Sequence, residues 1–114
     1  MTFTQQVRAD ENGYVVRLSG EMDYTVSGRF EVAVQRLLDH RRPASVRLDL
    51  ADLDFIDSTA VSVLVRLWRL ARRGNCSLRV VNAQGLVHHV LDVTGALAIV
   101  GAGPAPDANP VTSG

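Results

Sequence analysis

Apolar and polar residues recur along this chain in short stretches whose spacing can be read one element at a time. Segments 7–9 and 14–19 are rich in apolar residues and are separated by Asp10-Glu11-Asn12-Gly13. Asn-Gly between two such runs predicts a β-hairpin. The next residues, Gly20-Glu21-Met22-Asp23-Tyr24-Thr25, read as a turn ending in residue types that cap helices. From Val26 onward the apolar positions Val26, Phe30, Ala33, Val34, Leu37 and Leu38 keep helical spacing. Arg41-Arg42-Pro43 ends that helix, since cations suit its carboxyl end and proline disfavours helix at the residue before it.

Val46, Leu48 and Leu50 then alternate with Arg47 and Asp49, the periodicity of a strand. Residues 52–56 read as a loop, and a second helix is expected from Asp57-Ser58 to Arg72-Arg73, with Gly74 as its C′ residue. Residues 77–81 form another strand pattern. Leu86, Val87, Val90 and Leu91 mark a third helix ending near Gly95, and 97–100 is a last strand or the start of a short helix. The predicted core gathers Val46, Leu48, Leu64, Leu67, Val80, Val87 and Leu91.

This order of hairpin, helix, strand, helix, strand, helix predicts an α/β fold. Short connections between alternating strands and helices imply right-handed crossovers and a small mixed β-sheet flanked by helices, parallel except at one edge. Residues 1–101 make one domain. Beyond them Gly103, Pro104, Pro106, Asp107, Asn109 and Pro110 leave little to bury, so 102–114 is expected to be a flexible C-terminal tail.

Composition removes several function classes. Twelve arginines, with no lysine, balance twelve acidic residues, so no broad electrostatic grip on nucleic acid is expected. No stretch approaches eighteen apolar residues, the amino terminus lacks a signal-peptide core, and no membrane insertion is expected. The single Cys76 makes no internal disulfide and reads as a buried thiol in a cytoplasmic, reducing setting. His88 and His89 are adjacent, so on a helix they point about 100° apart and do not share one metal. Neither a G-x-S-x-G elbow nor a phosphate-binding glycine loop is present. A non-enzymatic protein without cofactor or metal is expected.

The candidate chemistry sits at the start of the second helix. The first N–H groups of a helix lack intrahelical partners, and its macrodipole favours an anion there. A phosphate on Ser58 would sit where those amides point and would add roughly −1.5 to −2 of charge beside Asp57. Read from spacing alone, Asp57 or Ser58 is a helix cap. Behind them, steps of three and four align Ser58, Ser62, Arg66, Arg69 and Arg73 on one polar stripe, with Val61, Leu64, Leu67, Trp68 and Ala71 mostly opposite.

Leu18-Ser19-Gly20-Glu21-Met22-Asp23, Leu48-Asp49-Leu50, Phe55-Ile56-Asp57-Ser58-Thr59 and Leu91-Asp92-Val93-Thr94-Gly95 resemble the successive signatures of the STAS-domain anti-sigma factor antagonists. The resemblance implies a domain that binds an anti-sigma factor with serine kinase activity and thereby frees a sigma factor. It implies that the kinase phosphorylates Ser58, with Thr59 the rival hydroxyl, and that a phosphatase resets the cycle. Asp23, Asp57, Ser58, Thr59, Ser62 and Arg66 are then the expected partner-binding residues. Relatives usually carry glycine at the positions of Ala60 and Ser62, so the Ala60 methyl is expected to project near the docking face. The alternative function is a STAS-domain regulatory or structural subunit of a larger transporter or stress-signalling complex.

Overall fold

The computed structural model describes residues 2–101. Four strands pair in the order β1-β2-β3-β4, where β1 is Thr4–Asp10, β2 Gly13–Met22, β3 Ser45–Ile56 and β4 Ser77–Val81. β1 runs antiparallel to β2, while β2, β3 and β4 are parallel to one another. Parallel neighbours need a crossover, and here α1 (Tyr24–Arg41) and α2 (Ser58–Arg73) supply them. α3 (Gly85–Val93) follows β4, and Leu97–Gly101 forms a single π-helical turn, so the last apolar run is helical rather than a strand. The tail expected at 102–114 lies outside the described residues.

The seven side chains expected in the core are all buried, in one cluster with Val16, Leu18, Met22, Phe30 and Ile56. Leu78 and Val80 extend it from β4, and Cys76 joins it, where burial pushes its thiol pKa up and leaves it a poor nucleophile. Deep alternation in β3 makes this possible: Val46, Leu48 and Leu50 face inward while Arg47 and Asp49 do not. On that other side Arg47 pairs with Asp10 at 2.6 Å and Arg17 with Asp52 at 3.4 Å.

Three local readings change. The hairpin loop is Glu11-Asn12, tied by the Asp10 carboxylate accepting the Asn12 and Gly13 amides, and Gly13 already pairs with Asp10 in the ladder. Residues 20–22 and 52–56 are strand, not turn and loop. The pairing slips twice there, with Arg17 opposite Asp49 but Ser19 opposite Asp52, then Gly20 opposite Leu53 but Glu21 opposite Phe55. Each slip inserts one extra residue in β3, so the inward residues Leu50, Leu53 and Ile56 come at steps of three and the period-two signal disappears. Finally, Gly74 is the C-cap of α2 at φ −92°, and Asn75 takes the left-handed C′ position at φ 61°. Asn75 N–H donates to Arg72 O at 3.1 Å and Cys76 N–H to Ala71 O at 2.8 Å, closing a Schellman motif with asparagine instead of glycine.

Candidate functional site

Because β2 and β3 are parallel, they end side by side, with Met22 opposite Ile56. Each strand then turns into a helix through one aspartate. Asp23 and Asp57 have nearly the same extended backbone, φ/ψ −114°/−174° and −105°/178°, and each caps its own helix. Met22-Asp23-Tyr24-Thr25 and Ile56-Asp57-Ser58-Thr59 are therefore two adjacent copies of one strand–cap–helix junction, and Tyr24 and Ser58 hold equivalent first helical positions.

The two caps are wired differently. Asp23 turns its carboxylate onto its own helix, where Oδ1 accepts Thr25 N–H at 2.9 Å and the Thr25 hydroxyl at 2.5 Å. Those bonds, the hydroxyl's first, hold its carboxyl below the ordinary carboxylate range. Asp57 divides its carboxylate between helices. Its Oδ1 accepts Ala60 N–H at 2.9 Å within α2, and its Oδ2 accepts Tyr24 N–H at 2.8 Å in α1. Its own amide donates to Met22 O at 3.2 Å.

Ser58, Thr59 and Ser62 are exposed, and the Ser62 hydroxyl donates to Ser58 O at 3.1 Å. The stripe foreseen behind Ser58 is present, with Arg66, Arg69 and Arg73 also exposed while Val61, Leu64, Leu67 and Ala71 are buried and Trp68 is half-buried. Arg72, one step off the stripe, lies over the Trp68 ring at 5.1 Å. Arg66 is engaged within the domain: its Nε and Nη2 each donate at 2.9 Å to a carboxylate oxygen of Glu31 on α1. Asp23, Asp57, Ser58, Thr59 and Ser62 thus share one end of the molecule, and Arg66 stands two turns along α2 from it. Ala60 corrects its expectation. It is fully buried, so its methyl packs into the core and does not project near the docking face.

Two exposed aromatic residues that pattern reading passed over lie on the same two junctions. Tyr24 is 72% exposed at the start of α1, and Phe55 is 38% exposed at the end of β3. Aromatics tend to anchor protein–protein contacts when they stand exposed beside polar groups. The available signal was the rarity of Phe, Trp and Tyr, 5% of the chain, together with an aromatic directly after a capping aspartate. A cavity of about 450 Å³ lies at the other end, between the carboxyl ends of α1 and α2, with Leu38, Arg42, Leu70 and Arg73 in its lining. A sixteen-residue helix spans roughly 24 Å, so this cavity is remote from Ser58.

The site's arrangement is an exposed hydroxyl at a helix start with two capping aspartates, and exposed Tyr24 and Phe55 at the ends of the same two junctions. Comparison with known proteins agrees on the fold. A family model described as the STAS domain matches residues 4–108. The anti-sigma F factor antagonist of Paenibacillus polymyxa is 28% identical over 86 residues, covering 75% of this chain and 74% of that protein. The crystal structure of an anti-sigma factor antagonist from Mycobacterium paratuberculosis has a TM-score of 0.71 at 20% identity, covering 85% of this chain and 81% of that one. The Bacillus cell fate determinant SpoIIAA, solved in its phosphorylated form, has a TM-score of 0.61 at 19% identity over 84% and 87% of the two chains.

Proposed function

We propose, because this chain belongs to the STAS domain family, that it is an anti-sigma factor antagonist acting by binding rather than by catalysis. Its partner is an anti-sigma factor that is also a serine kinase, and sequestering that partner frees a sigma factor. Transfer of a phosphoryl group from ATP to the Ser58 hydroxyl switches the complex off, and a phosphatase restores it. Asp23, Thr59 and Ser62 form the docking surface with Ser58, while Asp57 and Arg66 shape it.

The observation that carries this reading is the position of Ser58. It is exposed at the first residue of α2, on the same end of the molecule as the Asp23 junction, to which Asp57 is hydrogen-bonded through Tyr24 N–H. Within the isolated domain a phosphate there is offset by the helix dipole, so folding survives. The fold's likeness to a relative solved in its phosphorylated form supports that point. At an interface the same charge must be desolvated, which costs binding unless the partner supplies a cation.

The test is direct. Incubation with the kinase partner and ATP, read by intact mass and peptide mapping, should place one phosphoryl group on Ser58. Ser58→Ala should bind the partner constitutively, and Ser58→Asp should bind about ten- to a hundredfold more weakly while remaining folded. Equal partner affinity for wild type, Ser58→Asp and kinase-treated protein would leave Ser58 as part of an ordinary helix start.

A further inference from the structure

We propose that Asp57 is a positioning residue that fastens the start of α1 to the start of α2, and that charge placed on Ser58 is felt at Tyr24 through it. The second half rests on the switch reading of Ser58; the first half does not.

Tyr24 N–H is one of the donors that a helix start leaves without an intrahelical partner. Its own cap does not serve it, because an N-cap side chain reaches the second or third helical amide, here that of Thr25. The partner it has is Asp57 Oδ2, thirty-three residues away in sequence and 2.8 Å away in space. The other Asp57 oxygen holds Ala60 N–H at 2.9 Å, and the Asp57 amide holds Met22 O. Two of these bonds, to Tyr24 and to Met22, join the two junctions, and the third caps α2 itself. Bonds to an ionised acceptor are the stronger kind, and both carboxylate bonds here have that character. Tyr24, largely exposed, and Ser58 are consequently parts of one surface with a fixed spacing, not two independent loops.

The link is sensitive to charge. An anion on Ser58 competes for the same first-turn amides of α2 that Asp57 uses, since that end of a helix attracts negative charge. It also repels the adjacent carboxylate. Either effect loosens the hold of Asp57 on Ala60 N–H, and the same carboxylate carries the bond to Tyr24. The exposed ring at the start of α1 then loses its fixed position when Ser58 is charged. A partner that grips both sites would lose one contact by repulsion and the other by misplacement.

Asp57→Asn separates the two bonds. Asparagine caps a helix about as well as aspartate, but it has a single acceptor oxygen and its amide nitrogen only donates. Because the two donors approach opposite oxygens of the carboxylate, asparagine held in the same orientation puts its oxygen at Ala60 N–H or at Tyr24 N–H and its nitrogen at the other. The experiment is amide hydrogen exchange and ¹⁵N chemical-shift mapping on the full chain for wild type, Ser58→Asp, Asp57→Asn and the double variant. In Asp57→Asn one of the two amides, Tyr24 if the cap is kept, should exchange on the order of tenfold faster while the other is unchanged. Ser58→Asp should shift the Tyr24 amide resonance in the wild-type background, and that shift should fall by more than half in the Asp57→Asn background. Should Asp57→Asn not fold, Asp57→Ser keeps a cap on a shorter side chain and should release Tyr24 alone. Wild-type protection of both amides in Asp57→Asn, or a Tyr24 shift from Ser58→Asp of the same size with and without Asp57, would overturn the proposal. Failure of the switch reading appears elsewhere, as partner affinity indifferent to Ser58→Asp while these amide effects persist.

Discussion

Glu31 on α1 receives both donors of the Arg66 fork on α2, each at 2.9 Å, so the two parallel crossover helices are joined about two turns beyond the point where Asp57 joins their starts. A bidentate guanidinium–carboxylate pair fixes direction as well as distance. Arg66 is 53% exposed, and solvent screening keeps the energy modest. A double-mutant cycle with Glu31→Gln and Arg66→Met should give a small favourable coupling in denaturant unfolding. A coupling near zero would mean that the fork forms without holding the helices together.

Acid should weaken the domain through three carboxylates. The Arg47 side chain lowers the Asp10 pKa, the Thr25 hydroxyl lowers that of Asp23, and the Arg66 side chain lowers that of Glu31. Each is depressed in the folded state relative to the unfolded one. Its contribution is therefore present above the unfolded value, about 4, and is lost as pH falls through the folded value. Tm should hold nearly constant from about pH 7 to 5 and then decline steadily below about pH 4. Arg47→Gln should flatten part of that decline. A Tm that stays level down to about pH 3 would contradict the assignment.

Gly20 sits in β2 where the ladder with β3 slips, at φ 91°, and a Cβ built on it would lie 1.7 Å from the Thr2 carbonyl oxygen. The left-handed backbone costs an ordinary residue about 1–2 kcal/mol, and the clash with backbone adds to it. Gly20→Ala should thus destabilise by more than about 2 kcal/mol. It should also disturb the Asp23 junction, three residues on, as read from the Thr25 and Tyr24 amide resonances. Stability within about 0.5 kcal/mol of wild type would show that the amino-terminal segment moves aside freely.

The parts of this fold legible in the sequence are those with an undisturbed period. Val46, Leu48 and Leu50 announced a strand, and Val61, Leu64, Leu67 and Ala71 announced the buried face of α2, because no insertion interrupts either pattern. The carboxyl end of β3 reads as a loop for the opposite reason, since two bulges replace steps of two by steps of three at Leu50, Leu53 and Ile56, while that of β2 reads as a turn because Gly20 and Asp23 are turn-type residues. The site was half legible. Asp57 and Ser58 stand next to each other in sequence, and the helical spacing of Val61, Leu64 and Leu67 behind them marks a helix start. Their closeness to Tyr24 was not legible, because it depends on β2 and β3 pairing in parallel so that Met22 and Ile56 end together. The Arg66–Glu31 pair was not legible either, since nothing in the spacing along one helix reveals Glu31 on another.

Ala60 and Ser62, two residues apart, point to opposite sides of α2, one into the core and one to the surface. Ala60 is fully buried beneath the first turn of α2, whereas Ser62 is exposed, with its hydroxyl bonded back to Ser58 O. Ala60→Gly removes a buried methyl, worth about 0.8 kcal/mol in transfer, and adds up to about 1 kcal/mol of helix propensity loss. It should cost about 1.5–2 kcal/mol in denaturant unfolding and leave partner affinity unchanged, since the methyl faces inward. Ser62→Gly loses only propensity, about 0.5 kcal/mol, because a serine bonding back to the carbonyl four residues earlier adds little to a helix. Its effect should appear in binding instead, where an exposed hydroxyl one turn beyond Ser58 is removed from the surface. Measured side by side, the first variant moves stability and not affinity, and the second moves affinity more than stability. The reverse pattern, with Ala60→Gly changing partner affinity at unchanged stability, would mean that the start of α2 turns its other face to the partner.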